Sequence, residues 1–393
     1  MMKRYLLLAL MPAAAFVACA HADETPNSAS TDGGVPEASP ADAGGEDAND
    51  SGRDIDAEAL RCSNDFCLVD TPPPSAYGFT KWMFMGVQVD PVIGTWAIAN
   101  GQPGDEGTAQ LLRLEDGVWK PRYAPTLGSG AAKRSIRLAA LAGDGKGHLI
   151  AIGTAKDDNS TVILRSDGVT VTTSAFPGEL IATWMTGNDD AWVVGRTGSI
   201  HHSVGGGEWT DESNPAGGTF YAIWGSGPSD VYVGGQSEYD PETFESWAYV
   251  GHRTLDDAGA PTWTFEMLGD LQKEVDGAGY PIIAGIAPPG GRPFLSAPNV
   301  SAWLEADAGA SSWVRDPYRP RTWVQALWAR SASEVWAAAD TGRVYRYDGT
   351  TWHELSFFFN GAPAGNHLTG ISGTAQGEIF VVGEGIALRR QVP

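Results

Sequence analysis

An all-β ring of seven four-stranded blades is the fold class this sequence predicts, and three observations predict it. First, a pair of apolar runs recurs. It reads Ala182-Thr183-Trp184-Met185 with Ala191-Trp192-Val193-Val194, Ala222-Ile223-Trp224 with Val231-Tyr232-Val233, and Ala326-Leu327-Trp328 with Val335-Trp336-Ala337. Second, the step inside the pair is nearly fixed. It is eight residues from Trp184 to Trp192, Trp224 to Tyr232, Ile286 to Phe294 and Trp328 to Trp336, and nine from Leu141 to Ile150 and from Ile371 to Phe380. Third, the anchors of the second run (Trp96, Ile150, Trp192, Tyr232, Phe294, Trp336 and Phe380) are spaced by 54, 42, 40, 62, 42 and 44 residues. Internal periods of roughly 40–50 residues are those of propeller blades.

Within a blade, the paired runs are joined by Gly, Ser, Pro and Asp and read as an antiparallel hairpin. A third segment, such as Ser199-Ile200-His201-His202 or Arg343-Val344-Tyr345-Arg346, alternates as a half-buried strand does. A turn and an aromatic closing strand follow, as in Asp116-Gly117-Val118-Trp119 and Asp348-Gly349-Thr350-Thr351-Trp352. Asp-Gly supplies the φ > 0 positions that tight hairpins need. Three residues after each anchor stands Ala or Gly: Ala99, Gly153, Gly195, Gly235, Ala297, Ala339 and Gly383. A small residue there allows close approach of backbone or a kink. The steps of 54 and 62 predict blades with inserted loops. The seventh unit reaches Pro393 with no fourth strand. Phe66-Cys67-Leu68-Val69, ahead of Pro72-Pro73-Pro74, is expected to supply it and so remove an open sheet edge. Residues 61–393 thus read as a seven-bladed β-propeller whose last blade is completed by an N-terminal strand.

Residues 1–19 read as an export signal. Lys3 and Arg4 precede an apolar stretch, 5–17, too short to span a bilayer. The stretch ends Phe16-Val17-Ala18-Cys19, similar to a bacterial lipobox with Phe16 where Leu is usual, which makes Cys19 the lipidation site. Ala18-Cys19-Ala20 also fits the small-x-small rule of ordinary cleavage, so cleavage before Cys19 and after Ala20 both stay open. Residues 20–60 hold eleven acids, one base (Arg53) and no aromatic residue, contributing −10 of the net −22. Such a segment reads as a disordered acidic linker, with a reach of roughly 35 Å. In an exported chain the remaining pair, Cys62 and Cys67, is expected to form a disulfide. The expected location is the outer membrane, on the periplasmic or cell-surface side, with the lipid as the only membrane contact. Residues 61–393 carry a net charge of −14, which argues against a nucleic-acid partner.

The blades resemble secreted bacterial β-propellers with degenerate sialidase-type (Asp-box, or BNR) repeats, and the photosystem II assembly-factor propellers. The Asp box runs Ser-x-Asp-x-Gly-x-x-Trp. Segment 203–209 keeps Ser203, Gly207 and Trp209 without the Asp, 165–168 keeps Ser166, Asp167 and Gly168 without the Trp, and 348–352 and 116–119 keep Asp-Gly and Trp. The resemblance covers most of 76–390 and implies the fold. It also implies an alternative function, a sialidase-like glycoside hydrolase or lyase. The early Arg-Ile-Pro segment of sialidases is missing, however, and Arg315, Arg319 and Arg321 read as a solvated loop. No catalytic residue is assigned. His201 and His202 are adjacent on a strand and point to opposite faces, so they read as one packed and one solvated side chain. Asp157-Asp158 and 238–245 are acid-rich loops without calcium-loop spacing. No phosphate loop or dinucleotide fingerprint occurs, and neither metal nor cofactor is expected.

Of the fifteen Trp, the repeat places twelve on first, second or closing strands. Trp247, Trp303 and Trp323 are left as candidates for ligand stacking. Segments 100–110 and 236–246 join second to third strands, and 120–136 and 264–281 join blades. Both connection types emerge on one face of a propeller. Insertions there are where recognition concentrates, and Tyr and Arg are common interface anchors. The candidate partner-binding residues are Arg122, Tyr123, Arg134, Tyr239, Asp240, Tyr318 and Arg319, with Lys133 and Glu242 nearby. The expected function is a membrane-tethered binding or scaffold module, monomeric, for a protein or glycan of the cell envelope.

Overall fold

The computed structural model describes residues 61–391, apart from 103–108, 130–133, 157, 159, 241, 243–244, 270, 272–279, 299, 308–309, 321 and 361. Cys19, the signal, the linker, Asp157, Lys133 and Arg321 lie outside the described residues.

Six blades are consecutive four-strand meanders. Blade 1 runs Lys81–Asp90, Gly94–Gln102, Gln110–Glu115 and Val118–Tyr123. Blade 2 runs Arg134–Gly143, Leu149–Ala155, Thr161–Ser166 and Val171–Phe176, with Thr126–Leu127 as an added inner-edge strand. Blade 3 runs Leu180–Thr186, Asp190–Gly195, Ile200–Ser203 and Trp209–Asp211, and blade 4 Thr219–Gly227, Asp230–Gln236, Ala248–Leu255 and Pro261–Met267. Blade 5 runs Ala284–Ile286, Phe294–Ala297, Val300–Asp307 and Ala310–Arg315, and blade 6 Val324–Ser331, Glu334–Ala339, Arg343–Tyr347 and Trp352–Ser356. Blade 7 has Leu368–Gly373, Ile379–Gly383 and Ile386–Arg390. First strands of neighbouring blades touch in sequence, and the first strand of blade 7 touches that of blade 1, which closes the ring.

The seventh blade takes its fourth strand from Phe66–Leu68, which pairs antiparallel with Ile386–Arg390 through Phe66↔Arg390 and Leu68↔Leu388. Cys62–Ser63 adds a fifth strand, and the Cys62–Cys67 disulfide joins it to the fourth across a turn at Asn64 and Asp65. The chain then crosses to blade 1, where Asp70 O accepts from Trp119 N and Pro72 O from Trp82 Nε1.

The core is divided by blade interface: among the described residues, seven apolar clusters fill seven interfaces. This explains the continuous apolar second strands. Trp192 and Val194 pack toward blade 4, while Ala191 and Val193 pack toward blade 2. A strand buried on both faces cannot alternate apolar with polar. Trp303, a stacking candidate from the sequence, belongs to this core: it is 6% exposed, packed on Phe294, and its Nε1 donates to Asp316 Oδ2.

The small residue after each anchor also has a specific cause. In six blades a β-bulge in the first strand faces it. The bulge pushes a carbonyl toward the second strand. A Cβ on Gly195 would stand 1.8 Å from Glu179 O, and one on Gly383 2.1 Å from His367 O.

Candidate functional site

Because strands alternate in direction, the connections from second to third strands and from blade to blade share one end of the ring, the loop face. The other end, the turn face, holds the short turns. The central channel is lined by first strands of all seven blades and encloses about 510 Å³. Among the described residues its lining has Met85, Ile181, Tyr221, Ile286, Leu327 and Ile371 with Gln88, Thr183, Gln325 and Thr369, and no Asp, Glu, Lys, Arg or His. The paired carboxylates of a retaining glycosidase, about 5 Å apart, have no counterpart in that lining.

At the loop-face mouth, the starts of the first strands are tied by ion pairs around much of the ring. Lys81 pairs with Glu384, Arg134 with Asp158, Arg196 with Glu179 at 2.7 Å, and His367 with Asp340 at 3.1 Å. Glu238 Oε1 accepts from Gly218 N at 2.9 Å. The Lys81 ammonium holds the Glu384 carboxyl below its usual range, and Ser160, then Arg134, do the same for Asp158.

Blades 4 to 6 add aromatic side chains to this mouth. Tyr221 of blade 4 lines the channel, Tyr280 leads into blade 5, and Trp323 leads into blade 6. Tyr280 and Trp323 lie 6.3 Å apart, tilted by 60°, and are 39% and 46% exposed. Behind them Asp340 N donates to Trp323 O, and Gln325 Nε2 donates to Asp340 Oδ1 at 3.1 Å. Exposed Tyr239 and Tyr318 sit on loops of the same blades.

The seven residues singled out from the sequence therefore separate into two groups. Tyr239 and Asp240 lie in the second-to-third loop of blade 4, where Asp240 Oδ1 caps Glu242 N. Tyr318 and Arg319 lie between blades 5 and 6. Arg122 and Tyr123 end the outermost strand of blade 1. Arg122 Nε donates to Glu115 at 2.7 Å, and its guanidinium holds that carboxyl below the usual range. Tyr123 OH meets Thr173 Oγ1 of blade 2 at 3.2 Å, joining the two blades. Arg134 is paired at the mouth across the ring from the aromatic sector. Trp247 is half-buried beside Gly269, so of the three spare Trp only Trp323 stands open.

Next to the arginine-rich loop, Asp316 is buried and accepts from Trp303 Nε1 and Trp352 Nε1, each at 2.9 Å, binding blade 5 to blade 6. The two histidines depart from expectation, because both are packed. His201 lies against Phe176 at 5.0 Å on one side of its blade, and His202 stacks on Trp192 at 3.9 Å on the other. Each face of a blade is covered by the next blade, so both histidines are largely shielded from solvent.

His202 belongs to a pattern the sequence reading missed. The residue directly across from each anchor, on the third strand, is Arg113, Arg165, His202, His252, Trp303, Arg346 or Arg389. Six of the seven are basic. Most find an acid at the turn face: Arg165 with Asp189, His202 with Asp190, His252 with Asp230 and Arg389 with Glu378. Between blades 3 and 4 this becomes a buried network. Glu212 accepts two bonds from Arg253, at 2.8 and 3.0 Å, and one from Trp263 Nε1 at 2.8 Å. Burial pushes the Glu212 carboxyl up, but bonds from His202, Arg253 and Trp263 outweigh it and bring the pKa down to about 2. The degenerate Asp-box segments all fall at turns between third and fourth strands.

Comparison with solved structures gives the class of protein as a seven-bladed β-propeller. YCF48 bound to D1 peptide has a TM-score of 0.55 at 15% identity, over 84% of this chain and 98% of that one. YCF48 from Cyanidioschyzon merolae gives 0.54 at 16% identity, over 83% and 98%. A selenomethionine-substituted virginiamycin B lyase from Staphylococcus aureus gives 0.52 at 14%, over 79% and 95%. No family model matches the chain, and no curated protein matches it. At these identities the likeness is one of fold, and a fold shared by a peptide-bound protein and a lyase does not choose between their functions.

Proposed function

We propose that this chain is a binding propeller that captures an extended protein segment at the loop-face mouth, on the sector formed by blades 4 to 6. One observation carries the reading. The mouth is tied by ion pairs on blades 1 to 3, 6 and 7 and by a carboxylate cap on blade 4, while Tyr221 on the first strand of blade 4 and Tyr280 and Trp323 just ahead of the first strands of blades 5 and 6 bring aromatic side chains to three consecutive blades. Exposed aromatic side chains with a carboxylate and an amide behind them suit an extended chain, which offers apolar groups and unpaired backbone bonds together. A D1 peptide bound to YCF48 supports the idea that a ring of this plan accepts a peptide. Tyr239, Asp240, Tyr318 and Arg319 rim this sector, whereas Arg122, Tyr123 and Arg134 serve blades 1 and 2.

In this reading the propeller is exported, lipidated at Cys19 and held off the outer membrane by the acidic segment 20–60. Its partner is a protein of the cell envelope. The Asp-box-like turns descend from sialidase-type repeats without the catalytic set. The test is affinity capture from solubilised envelope with wild type and with Tyr280→Ala/Trp323→Ala, beside a glycan array. A protein recovered and then rebuilt from purified components, with affinity lost in the double variant, supports the reading. A partner held equally by both, or a glycan ligand alone, overturns it.

A further inference from the structure

The acid that should accompany each third-strand base is diverted in blade 6. Glu334 stands two residues before the anchor Trp336, in the position of Asp190, Asp230 and Glu378. There it is already bonded, by Arg330 and by Trp336 Nε1 at 3.1 Å. Arg346, directly across from Trp336, has no carboxylate partner among the described residues, and its guanidinium lies 5.6 Å from the Trp336 ring centre. A second guanidinium reaches the same ring from blade 7: that of Arg390, at 5.2 Å. Among the described residues its guanidinium makes one hydrogen bond, a long one of 3.4 Å to Gly377 O.

The neighbouring acids do not neutralise this pair. Glu378 is taken by Arg389, with Nε donating at 2.6 Å. Asp348 accepts from His353 and from the N–H groups of Thr350 and Thr351 in its own turn. A protein of net charge −22 thus keeps two guanidinium groups without a carboxylate partner among the described residues over one indole, at the turn face between blades 6 and 7. Arg346 is exposed and Arg390 half-buried. Stacking on an aromatic face holds a guanidinium in plane and leaves its N–H fork directed outward, the geometry suited to an oxyanion.

We propose that Arg346 and Arg390, stacked on Trp336 between blades 6 and 7, form a binding site for a phosphate group. The group is either a soluble phosphate compound or the headgroup of an anionic phospholipid. This site lies at the opposite end of the ring from the aromatic mouth and does not depend on that reading.

The test uses the chain carrying Cys19→Ala, so that no lipid anchor contributes. Inorganic pyrophosphate is titrated calorimetrically at low salt, and vesicles of phosphatidylglycerol or of phosphatidylcholine are sedimented with the protein. Loss of each guanidinium–oxyanion contact is expected to lower affinity by about tenfold, so Arg346→Gln/Arg390→Gln is expected to lose about a hundredfold. Arg389→Gln, whose arginine is already paired, is expected to bind as wild type does. Pyrophosphate binding with this pattern identifies a soluble source. Binding to phosphatidylglycerol vesicles alone, with the same pattern, identifies a headgroup. If the glutamine pair fails to fold, Arg346→Lys/Arg390→Lys takes its place. It keeps the charge and loses the fork, and a clear loss of affinity is again expected. Wild type that binds neither probe, or variants of the pair that bind as wild type does, overturn the proposal.

Discussion

Phe66→Ala tests whether the ring is held shut by its N-terminal strand. Phe66 is 0% exposed and sits edge-on to Trp336 at 6.0 Å and to Phe357 at 5.2 Å. It is the largest side chain that the closing strand, Phe66–Leu68, gives to the core between blades 6 and 7. Truncating a buried Phe costs about 3–5 kcal/mol, since the transfer term and the cavity term add. Here the loss falls on a three-residue strand, so closure is expected to fail before the rest of the ring. The assay is native-state hydrogen exchange with a urea titration. In wild type the amides of Ile386–Arg390 should exchange with the main unfolding transition. In the variant they should exchange by a local opening several kcal/mol cheaper, while blades 2 to 5 stay protected. Reducing the Cys62–Cys67 disulfide should act the same way but more weakly, because a loop this small contributes about 2 kcal/mol. Unchanged protection of blade 7, with a stability loss below about 1 kcal/mol, would refute the reasoning.

Further outcomes follow from the same geometry. Gly195→Ala and Gly383→Ala each drive a Cβ into a carbonyl oxygen at the bulge. Each should cost about 1–3 kcal/mol in chemical denaturation, whereas Gly117→Ala, with open space around it, reports only the cost of its positive φ. Glu212 titrates at about 2 when folded and at 4.5 in its reference state. The lowered folded value means that its stabilisation is complete above about pH 4.5 and fades as pH falls toward 2. It amounts to about 3 kcal/mol. Glu212→Gln should lose that part of the acid dependence and be less stable at neutral pH by about 3–5 kcal/mol, with Arg253 left buried and unpaired. Palmitate labelling of cells should mark wild type and miss Cys19→Ala, and equal labelling would end the lipoprotein reading.

What was legible in the sequence is what burial enforces. Second strands covered on both faces must be apolar throughout, so Trp192-Val193-Val194 and its six counterparts appear as a ruler. A count of strands in the last unit exposed the missing one, and Phe66-Cys67-Leu68 was a short apolar segment ahead of blade 1 able to fill it. The mouth was not legible in the same way. Lys81 meets Glu384 across 303 residues of sequence, and no local pattern announces such a pair. In the sequence Trp323 is only a Trp that the repeat leaves over, and its partner Tyr280 sits in an insertion that the repeat does not describe. The third-strand bases were readable in principle, since register fixes which residue faces the anchor. They are inconspicuous because His202 and Arg346 look like the polar half of an alternating strand. The adjacent histidines are hard to place for a related reason: alternation predicts one solvent face, and in blade 3 both faces of the third strand are largely covered by the neighbouring blades.

The binding claim is tested most directly by a photo-crosslinking amino acid placed in turn at position 323, in the aromatic sector, and at position 196, across the mouth, in cells with an intact envelope. The account predicts one discrete protein adduct from position 323, lost when Tyr280→Ala is added, and none from 196. Equal adducts from both positions, or none from 323 while the propeller remains folded, would contradict it.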